Sequence, residues 1–496
     1  MLFDNLADIA ARAPATSGLR VESRLESYAA LVERIAHLAS GFMARGIGEG
    51  TPVAILLPNG PELFTVAHAL FAVGAIAVPL NIAAPPAELL MTARKAGVGA
   101  LVARADLVPI AHRLAEGLGR LTMPLFVSGG EGEESLAALA RHPIGRLPRL
   151  SAETRALYLF SSGSTGLPKV VPHTHGEMLA NARATVAALS FRPDDVVFNN
   201  LPGHHAMGFY NSVFEVPEAL GTTLYFSDPA PLLLARKRLL GALAAERVTV
   251  LPGVPFMFDI LAGATDEADL SAVRLTYSAG VALKRQIYEK FRDRFGLLIR
   301  QAYGCTEAGH VAFNRADDPE PIWDSVGRPV GDTEVIVVAH DNPLGPEFGE
   351  LAFRSASLTQ GYVGEEKLNR QAFGSGYFMT GDLGRIDDDG NVFIKGRSKL
   401  IIEVAGHKVD PLEVEEVLLG HPAVGEVVVI GPADPRTGEQ RLKAVVVRAG
   451  ETTPDALIRF AREHLAPQKV PALVEFRDEI PKSATGKILR GKLLHD

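Results

Sequence analysis

Apolar side chains recur three and four positions apart over Tyr28–Arg45, Glu62–Val73 and Pro86–Lys95, and they form short unbroken runs at Val53–Leu57 and Ala75–Val78. The first spacing predicts amphipathic helices and the second buried strands. Their alternation up to about residue 125 predicts layered α/β architecture with largely parallel strands. Residues 128–148, rich in Gly, Glu, Arg and Pro, read as a surface connection. The pattern then resumes. Ala156–Phe160 reads as a buried strand, and His175–Leu189 as a helix with Met178, Leu179, Ala182, Val186 and Leu189 on one face. Between them lies Ser161-Ser162-Gly163-Ser164-Thr165-Gly166-Leu167-Pro168-Lys169, which this placement predicts to be a strand-to-helix turn.

Further on, Val248–Leu251 leads into Pro252-Gly253, Leu275–Tyr277 into Ser278-Ala279-Gly280, and Leu297–Ala302 into Tyr303-Gly304-Cys305-Thr306-Glu307. Ligands of open α/β sheets bind beyond the carboxyl ends of the strands, so these loops are expected to converge on one crevice. From Val326 to Lys395 helical spacing stops. Short β-type runs at Glu334–Val338, Glu350–Arg354, Tyr377–Met379 and Asn391–Ile394 predict a small barrel or meander. After Gly396-Arg397 the pattern predicts a helix at Pro411–Leu419, strands at Val424–Ile430 and Leu442–Val447, a helix at Pro454–Leu465 and a strand at Leu473–Phe476. The expected organisation is a large N-terminal domain over residues 1–396, with its β-rich part at about 326–395, followed by a smaller α+β domain over 397–496.

Composition narrows the function. The chain has 496 residues, 47% of them hydrophobic, enough for more than one core. Its net charge of -8 is spread without a basic block, which argues against a nucleic-acid or anionic-membrane partner. One cysteine, Cys305, excludes an internal disulfide and any cysteine-based zinc or iron-sulfur centre. Asp4 and Asp8 interrupt what would be a signal peptide's apolar stretch, so the cytoplasm is the expected compartment. Thr65–Ala84 is about long enough to span a bilayer, but His68, Gly74, Pro79 and Asn81 make a buried helix and strand the better reading.

The Ser161–Lys169 turn packs four hydroxyls, two glycines and a lysine into one loop. Glycines let backbone N–H groups approach an anion, hydroxyls add donors and Lys169 adds charge, so the loop suits a polyphosphate. It lacks the Gly-Lys-Ser/Thr ending of a Walker loop. With Leu201–Gly208, Tyr303–Glu307, Thr380-Gly381-Asp382, Gly396-Arg397 and Pro481–Lys487, it resembles, in order, the motifs of the adenylate-forming superfamily of acyl- and aryl-CoA synthetases, peptide-synthetase adenylation domains and luciferases.

That resemblance implies attack of a substrate carboxylate on the α-phosphate of ATP, then transfer of the acyl group to the thiol of CoA or of a carrier protein's phosphopantetheine. It assigns Ser161, Ser162, Gly163, Ser164, Thr165, Gly166 and Lys169 to the leaving phosphates, and Thr306 to the α-phosphate. Glu307 would hold Mg²⁺, while Asp382 and Arg397 would hold the ribose. Ser278, Ala279, Gly280, Tyr303 and Gly304 would border the adenine, and Lys487 would supply the critical charge. His205 falls at the mouth of an acyl pocket lined by Ala206, Met207, Gly208, Phe256, Val281 and Cys305. Ala206 stands where amino-acid-activating relatives carry aspartate, which disfavours an α-amino acid and favours an aryl or medium-length acyl acid.

Lys399 takes the hinge position, where many relatives have aspartate, and the C-terminal domain is expected to rotate about it. Lys408 replaces a common phosphate-binding arginine and retains its charge without the bidentate contact. Lysine at the hinge is also a luciferase-like feature. A non-catalytic nucleotide-binding relative is expected to have lost the charged residues, but Lys169, Glu307, Asp382, Arg397 and Lys487 are all present.

Overall fold

The protein is described from a computed structural model that covers residues 1–21, 24–162, 168–226, 232–339, 342–404, 407–433, 440–482 and 488–494, without the side chains of Ser162, Leu232, Leu233, Leu234 and Lys399. Gly163, Ser164, Thr165, Gly166 and Lys487 lie outside the described residues.

Chain contacts divide the protein into two compact units, Met1–Glu334 with Arg354–Gly376, and Val335–Phe353 with Tyr377–Asp496. The first holds two sheets. One has the order Leu125–Ser128, Ala100–Arg104, Pro52–Leu56, Ile76–Pro79, Arg155–Ser162, Pro168–Thr174. Its first five strands pair in parallel, as the alternating pattern predicts. The helices Tyr28–Ala44 and Pro61–Ala72 pack on it, joining Leu31, Ile35, Phe42, Phe64 and Phe71 to Val53, Ile55 and Phe126 in one core. The segment weighed as a membrane span is the end of Pro61–Ala72 followed by the strand Ile76–Pro79, both buried. No helix among the described residues is long and apolar enough to cross a membrane.

The last strand of this sheet corrects the expected strand-to-helix turn. Arg155–Ser162 pairs antiparallel with Pro168–Thr174, with Ser161 opposite Lys169 and Ser162 opposite Pro168, so a strand and not a helix follows residues 163–167. The helix His175–Leu189 begins only afterwards, with Thr174 and Glu177 forming a capping box. Pro168 and Pro172 concealed the second strand, since proline cannot donate to a ladder. An edge position tolerates both.

The other sheet runs Arg328–Pro329, Gly309–Phe313, Ile299–Cys305, Leu275–Ser278, Val250–Gly253, Val196–Asn199, Thr222–Tyr225, Gly18–Val21, Arg24–Ser27. Here Gly253 pairs with Ser278 and Ser278 with Gln301, so two parallel strands end side by side and the third, Ile299–Cys305, runs four residues beyond them. The loops after them leave the same sheet edge, as expected.

In the second unit, Glu334–Val338, Gly349–Arg354, Phe378–Ile386 and Val392–Arg397 form a four-stranded sheet rather than a closed barrel among the described residues. A helix, Glu366–Phe373, falls within the stretch expected to be free of helices and belongs to the first unit. Beyond it, Val424–Ile430, Lys443–Arg448 and Leu473–Phe476 pack with the helices Pro411–Leu419 and Pro454–His464 around Val414, Leu418, Val427, Val446 and Leu457.

Candidate active site

Thr306 and Glu307 occupy the tight turn between the antiparallel strands Ile299–Cys305 and Gly309–Phe313, not a helix start. Gly304 is required within this hairpin: a β-carbon there would lie 2.4 Å from the carbonyl oxygen of Gly309. The turn is held from two directions. His173, on the edge strand, places Nε2 at 2.8 Å from the carbonyl oxygen of Thr306. Burial pushes His173 down to about 4, so the ring is neutral and Nε2–H donates. From the other side, the N–H of Thr359 donates to the carbonyl oxygen of Glu307 at 2.8 Å.

The Glu307 carboxylate is buried, with 7% of the residue exposed. Its Oε1 accepts a hydrogen bond from the hydroxyl of Tyr362 at 2.8 Å. Among the described residues, no hydrogen bond to Oε2 and no lysine, arginine or histidine ion pair accompanies it. Buried charges are ordinarily paired or coordinate a metal. The Lys169 ammonium sits over the ring of the same Tyr362, 4.7 Å from its centroid. Opposite Lys169, the hydroxyl of Ser161 is buried without a hydrogen-bond partner among the described residues.

Ser278 ends its strand with a buried hydroxyl that likewise lacks a hydrogen-bond partner among the described residues. Gly280 has φ +88°, a conformation that L side chains rarely adopt, and a β-carbon there would meet nothing nearer than Val254 at 3.9 Å. Backbone geometry therefore demands glycine, and the space before it is open. Tyr303 is partly exposed on the strand leading to the Thr306 turn.

His205 stands at the residue before the helix Ala206–Tyr210, without a side-chain capping bond, and the helix continues as a π-helical turn, Asn211–Glu215. Gly208 permits close packing, since a β-carbon would lie 2.5 Å from the carbonyl oxygen of Pro202. Met207 and Ala206 are partly buried, as is Cys305. Phe256 and Val281 stand out as large apolar side chains left 46% and 36% exposed. Phe209 and Tyr210, further along the helix Ala206–Tyr210, are core. Beneath the pocket helix, Glu215 Oε1 lies 3.0 Å from His310 Nδ1, and Asn211 donates to the Tyr277 hydroxyl at 3.1 Å. His204 is pushed down to about 4 by burial, with His205 adding to the effect.

The second unit carries the remaining candidates. Arg397 Nε donates to Asp382 Oδ1 at 2.5 Å, across a register in which the two residues pair directly. Asp382 is buried while the Arg397 side chain is about half exposed. Lys408 is exposed on a short hairpin opposite Glu403. Around the undescribed 483–487 segment, Lys482 bridges to Ile488, and Arg490 pairs with the buried Glu415 at 2.9 Å.

Sequence patterning missed His173, Tyr362 and the Glu215–His310 pair. Each acts on a partner distant along the chain, and none lies in a motif that patterning singles out.

Residues 6–363 match the family described as AMP-binding enzyme, and residues 413–487 match the AMP-binding enzyme C-terminal domain. A feruloyl-CoA synthase of Amycolatopsis sp is 32% identical over 492 residues, covering 97% of this chain and 96% of its own. A 2-succinylbenzoate–CoA ligase of Bacillus cereus (strain Q1) is 29% identical, covering 97% and 95%. Among solved structures, ATP-bound MatB from Rhodopseudomonas palustris matches with a TM-score of 0.89 at 25% identity, over 100% of this chain and 99% of that one. The anthranilate CoA ligase AuaEII in complex with anthranoyl-AMP matches with a TM-score of 0.87 at 27% identity, over 99% and 96%. The chain belongs to the family of AMP-binding enzymes.

Proposed function

We propose that the protein is an ATP-dependent acid–CoA ligase acting on an aryl or medium-length acyl carboxylic acid. A carboxylate oxygen attacks the α-phosphorus of ATP, the bond to the bridging oxygen breaks, and pyrophosphate leaves. The CoA thiol then attacks the acyl carbon of the adenylate, AMP departs with the electron pair of the broken C–O bond, and the thiol proton is released. The observation that carries this reading is the buried Glu307 at the hairpin turn, with no cationic side chain paired to it among the described residues.

The first step brings two anions together. At ~4 Å and an effective dielectric of ~20, two unit charges repel by about 4 kcal/mol, so positive charge is needed at the phosphates. Lys169 and the Ser161–Gly166 loop serve the leaving pyrophosphate. Glu307 fits Mg²⁺, which takes one or two carboxylates together with phosphate oxygens. When bound, the ion neutralises phosphate charge. Thr306 meets the α-phosphate, and Lys487 supplies charge there and at the substrate carboxylate.

The open space before Gly280, with the Ser278 hydroxyl, unpartnered among the described residues, close by in sequence, suits the adenine, and Tyr303 offers it a stacking face. Asp382 accepts from the ribose hydroxyls while Arg397 holds its carboxylate. Exposed Phe256 and Val281, with Met207 and Cys305, suit an apolar acyl group entering past His205, and Ala206 offers no charge for an α-ammonium. Lys399 is assigned to the hinge and Lys408 to CoA phosphate. Residues 1–396 form the adenylating domain and 397–496 the mobile one, working in the cytoplasm, where ATP and CoA are supplied.

The test is acid-dependent exchange of labelled pyrophosphate into ATP over a panel of aryl and acyl acids, followed by product analysis with and without CoA. Exchange with an aryl acid and a thioester only when CoA is present supports the reading. Exchange that yields a thioester only with a phosphopantetheinylated carrier protein moves the acceptor. Absence of exchange with every acid overturns the reading.

A further inference from the structure

Tyr362 carries no motif, yet it touches two of the proposed phosphate-site groups at once. Its place is set by its backbone. Thr359 Oγ1 donates to the carbonyl oxygen of Pro172 at 2.6 Å, and the N–H of Val363 donates to the carbonyl oxygen of Val170 at 3.1 Å, so residues 359–363 lie along the edge strand that carries Lys169. The N–H of Thr359 reaches the carbonyl oxygen of Glu307. Both backbone groups of Tyr362 are taken by the side chain of Asn369, at 2.8 Å each. The ring, 5% exposed, is thus delivered to one spot between the edge strand and the Thr306-Glu307 turn.

What it does there follows from its two faces of chemistry. The hydroxyl donates to Glu307 Oε1 at 2.8 Å, which fixes the carboxylate rotamer and commits one oxygen while leaving Oε2 for another partner. The ring face receives the Lys169 ammonium at 4.7 Å. The aromatic face thereby sets where the ammonium sits. The cation over the ring also polarises the phenol and strengthens its donation to Glu307.

We propose that Tyr362 is a positioning residue that holds the cation-binding carboxylate of Glu307 and the phosphate-binding ammonium of Lys169 in one fixed arrangement, so that a divalent cation and a polyphosphate bind as a coupled pair. This inference rests on the proposed roles of Glu307 and Lys169. It separates the work of the hydroxyl from that of the ring. Tyr362→Phe removes the bond to Glu307 and keeps the ring, whereas Tyr362→Leu also removes the aromatic face beneath Lys169.

The experiment uses the full-length protein and titrates Mg²⁺ at fixed ATP, and ATP at saturating Mg²⁺. Binding is read by calorimetry and turnover by pyrophosphate exchange, with melting temperature as the control on folding. Expected for Tyr362→Phe is a rise of about tenfold in the Mg²⁺ midpoint, with the ATP constant at saturating Mg²⁺ within about twofold of wild type. Tyr362→Leu is expected to raise the ATP constant as well, by about fivefold. Equal Mg²⁺ midpoints for wild type and a folded Tyr362→Phe overturn the proposal. So does a loss of turnover with both binding constants unchanged, which is what a merely structural role produces. Absence of exchange in wild type would instead overturn the functional reading, and calorimetric binding of Mg²⁺ and ATP would still decide the role of Tyr362.

Discussion

His173 and Thr306 lie 133 positions apart, and the imidazole Nε2 of one meets the carbonyl oxygen of the other at 2.8 Å. The contact joins the edge strand of the six-stranded sheet to the hairpin turn of the nine-stranded sheet, so the Lys169 strand and the Glu307 turn are registered by a neutral, partly buried hydrogen bond. His173→Phe keeps the ring volume and removes the donor. Expected is a loss of about 1 kcal/mol in stability, the net worth of a typical hydrogen bond, together with about a tenfold lower kcat for adenylation. His173→Gln retains a donor and should recover part of both. Urea denaturation and pyrophosphate exchange on the two variants check this.

At Gly280 a conformational demand and open space coincide. Gly280→Ala forces a β-carbon into the left-handed region, at roughly 1–2 kcal/mol, without striking any atom nearer than Val254. The loss of stability should therefore be modest and the rise in the ATP KM larger in proportion, about tenfold, because the methyl enters the space assigned to adenine. An unchanged ATP KM in the folded variant would remove Gly280 from the nucleotide site.

Asp382 and Arg397 form a pair whose arginine is about half exposed, so it contributes little to stability. Arg397→Ala should leave the melting temperature within a few degrees and raise the ATP KM by about tenfold through loss of order at the Asp382 carboxylate. A 2′-deoxyribose analogue of ATP should lose less affinity in Asp382→Asn than in wild type, since the variant has already lost part of the ribose contact.

Acid should unfold the protein over a window set by buried histidines. Burial holds His68, His173 and His175 near 4, below their ordinary 6.5. Below 6.5 the unfolded chain binds protons that the folded one excludes, so this stability is complete above 6.5 and is lost as pH falls towards 4. Glu177 and Asp410 oppose the trend. Burial lifts them from 4.5 to about 7 and from 3.8 to about 6, so the stability they cost grows as pH rises between those two values for each group and is constant above them. His68 lies among Phe64, Phe71 and Phe214, so His68→Phe should pack acceptably. Its stability should fall less than that of wild type between pH 7 and pH 5, by about 2 kcal/mol. Equal pH dependence in the two proteins would contradict the assignment.

How much of this was legible in the sequence depended on what each element packs against. Pro411–Leu419 and Val424–Ile430 appear at the bounds their pattern predicts because each buries a set of apolar side chains, and Leu473–Phe476 does so as a short β-type run although Leu473 stays exposed. Glu366–Phe373 escaped notice because it is polar and buries no residue. The edge strand Pro168–Thr174 was hidden by its prolines, so the Ser/Gly stretch was placed before a helix instead of before a strand. In the candidate site, Glu307 and Gly280 announce themselves as a charged and a small residue in turns, and Asp382 as a carboxylate after Thr380-Gly381, although it lies within a strand. Tyr362 does not, because its meaning is a carboxylate 55 positions away and an ammonium reached across a strand edge.

The central claim is that the protein joins an acid to CoA at the expense of ATP. Its most direct measurement is a product count after incubating the protein with ATP, Mg²⁺, CoA and an aryl acid that supports pyrophosphate exchange. The account expects AMP, pyrophosphate and the aryl thioester in equal amounts, with Lys487→Ala forming little adenylate yet still converting synthetic aryl-AMP to thioester. ADP and phosphate in place of AMP and pyrophosphate, or AMP released without a thioester, would contradict it.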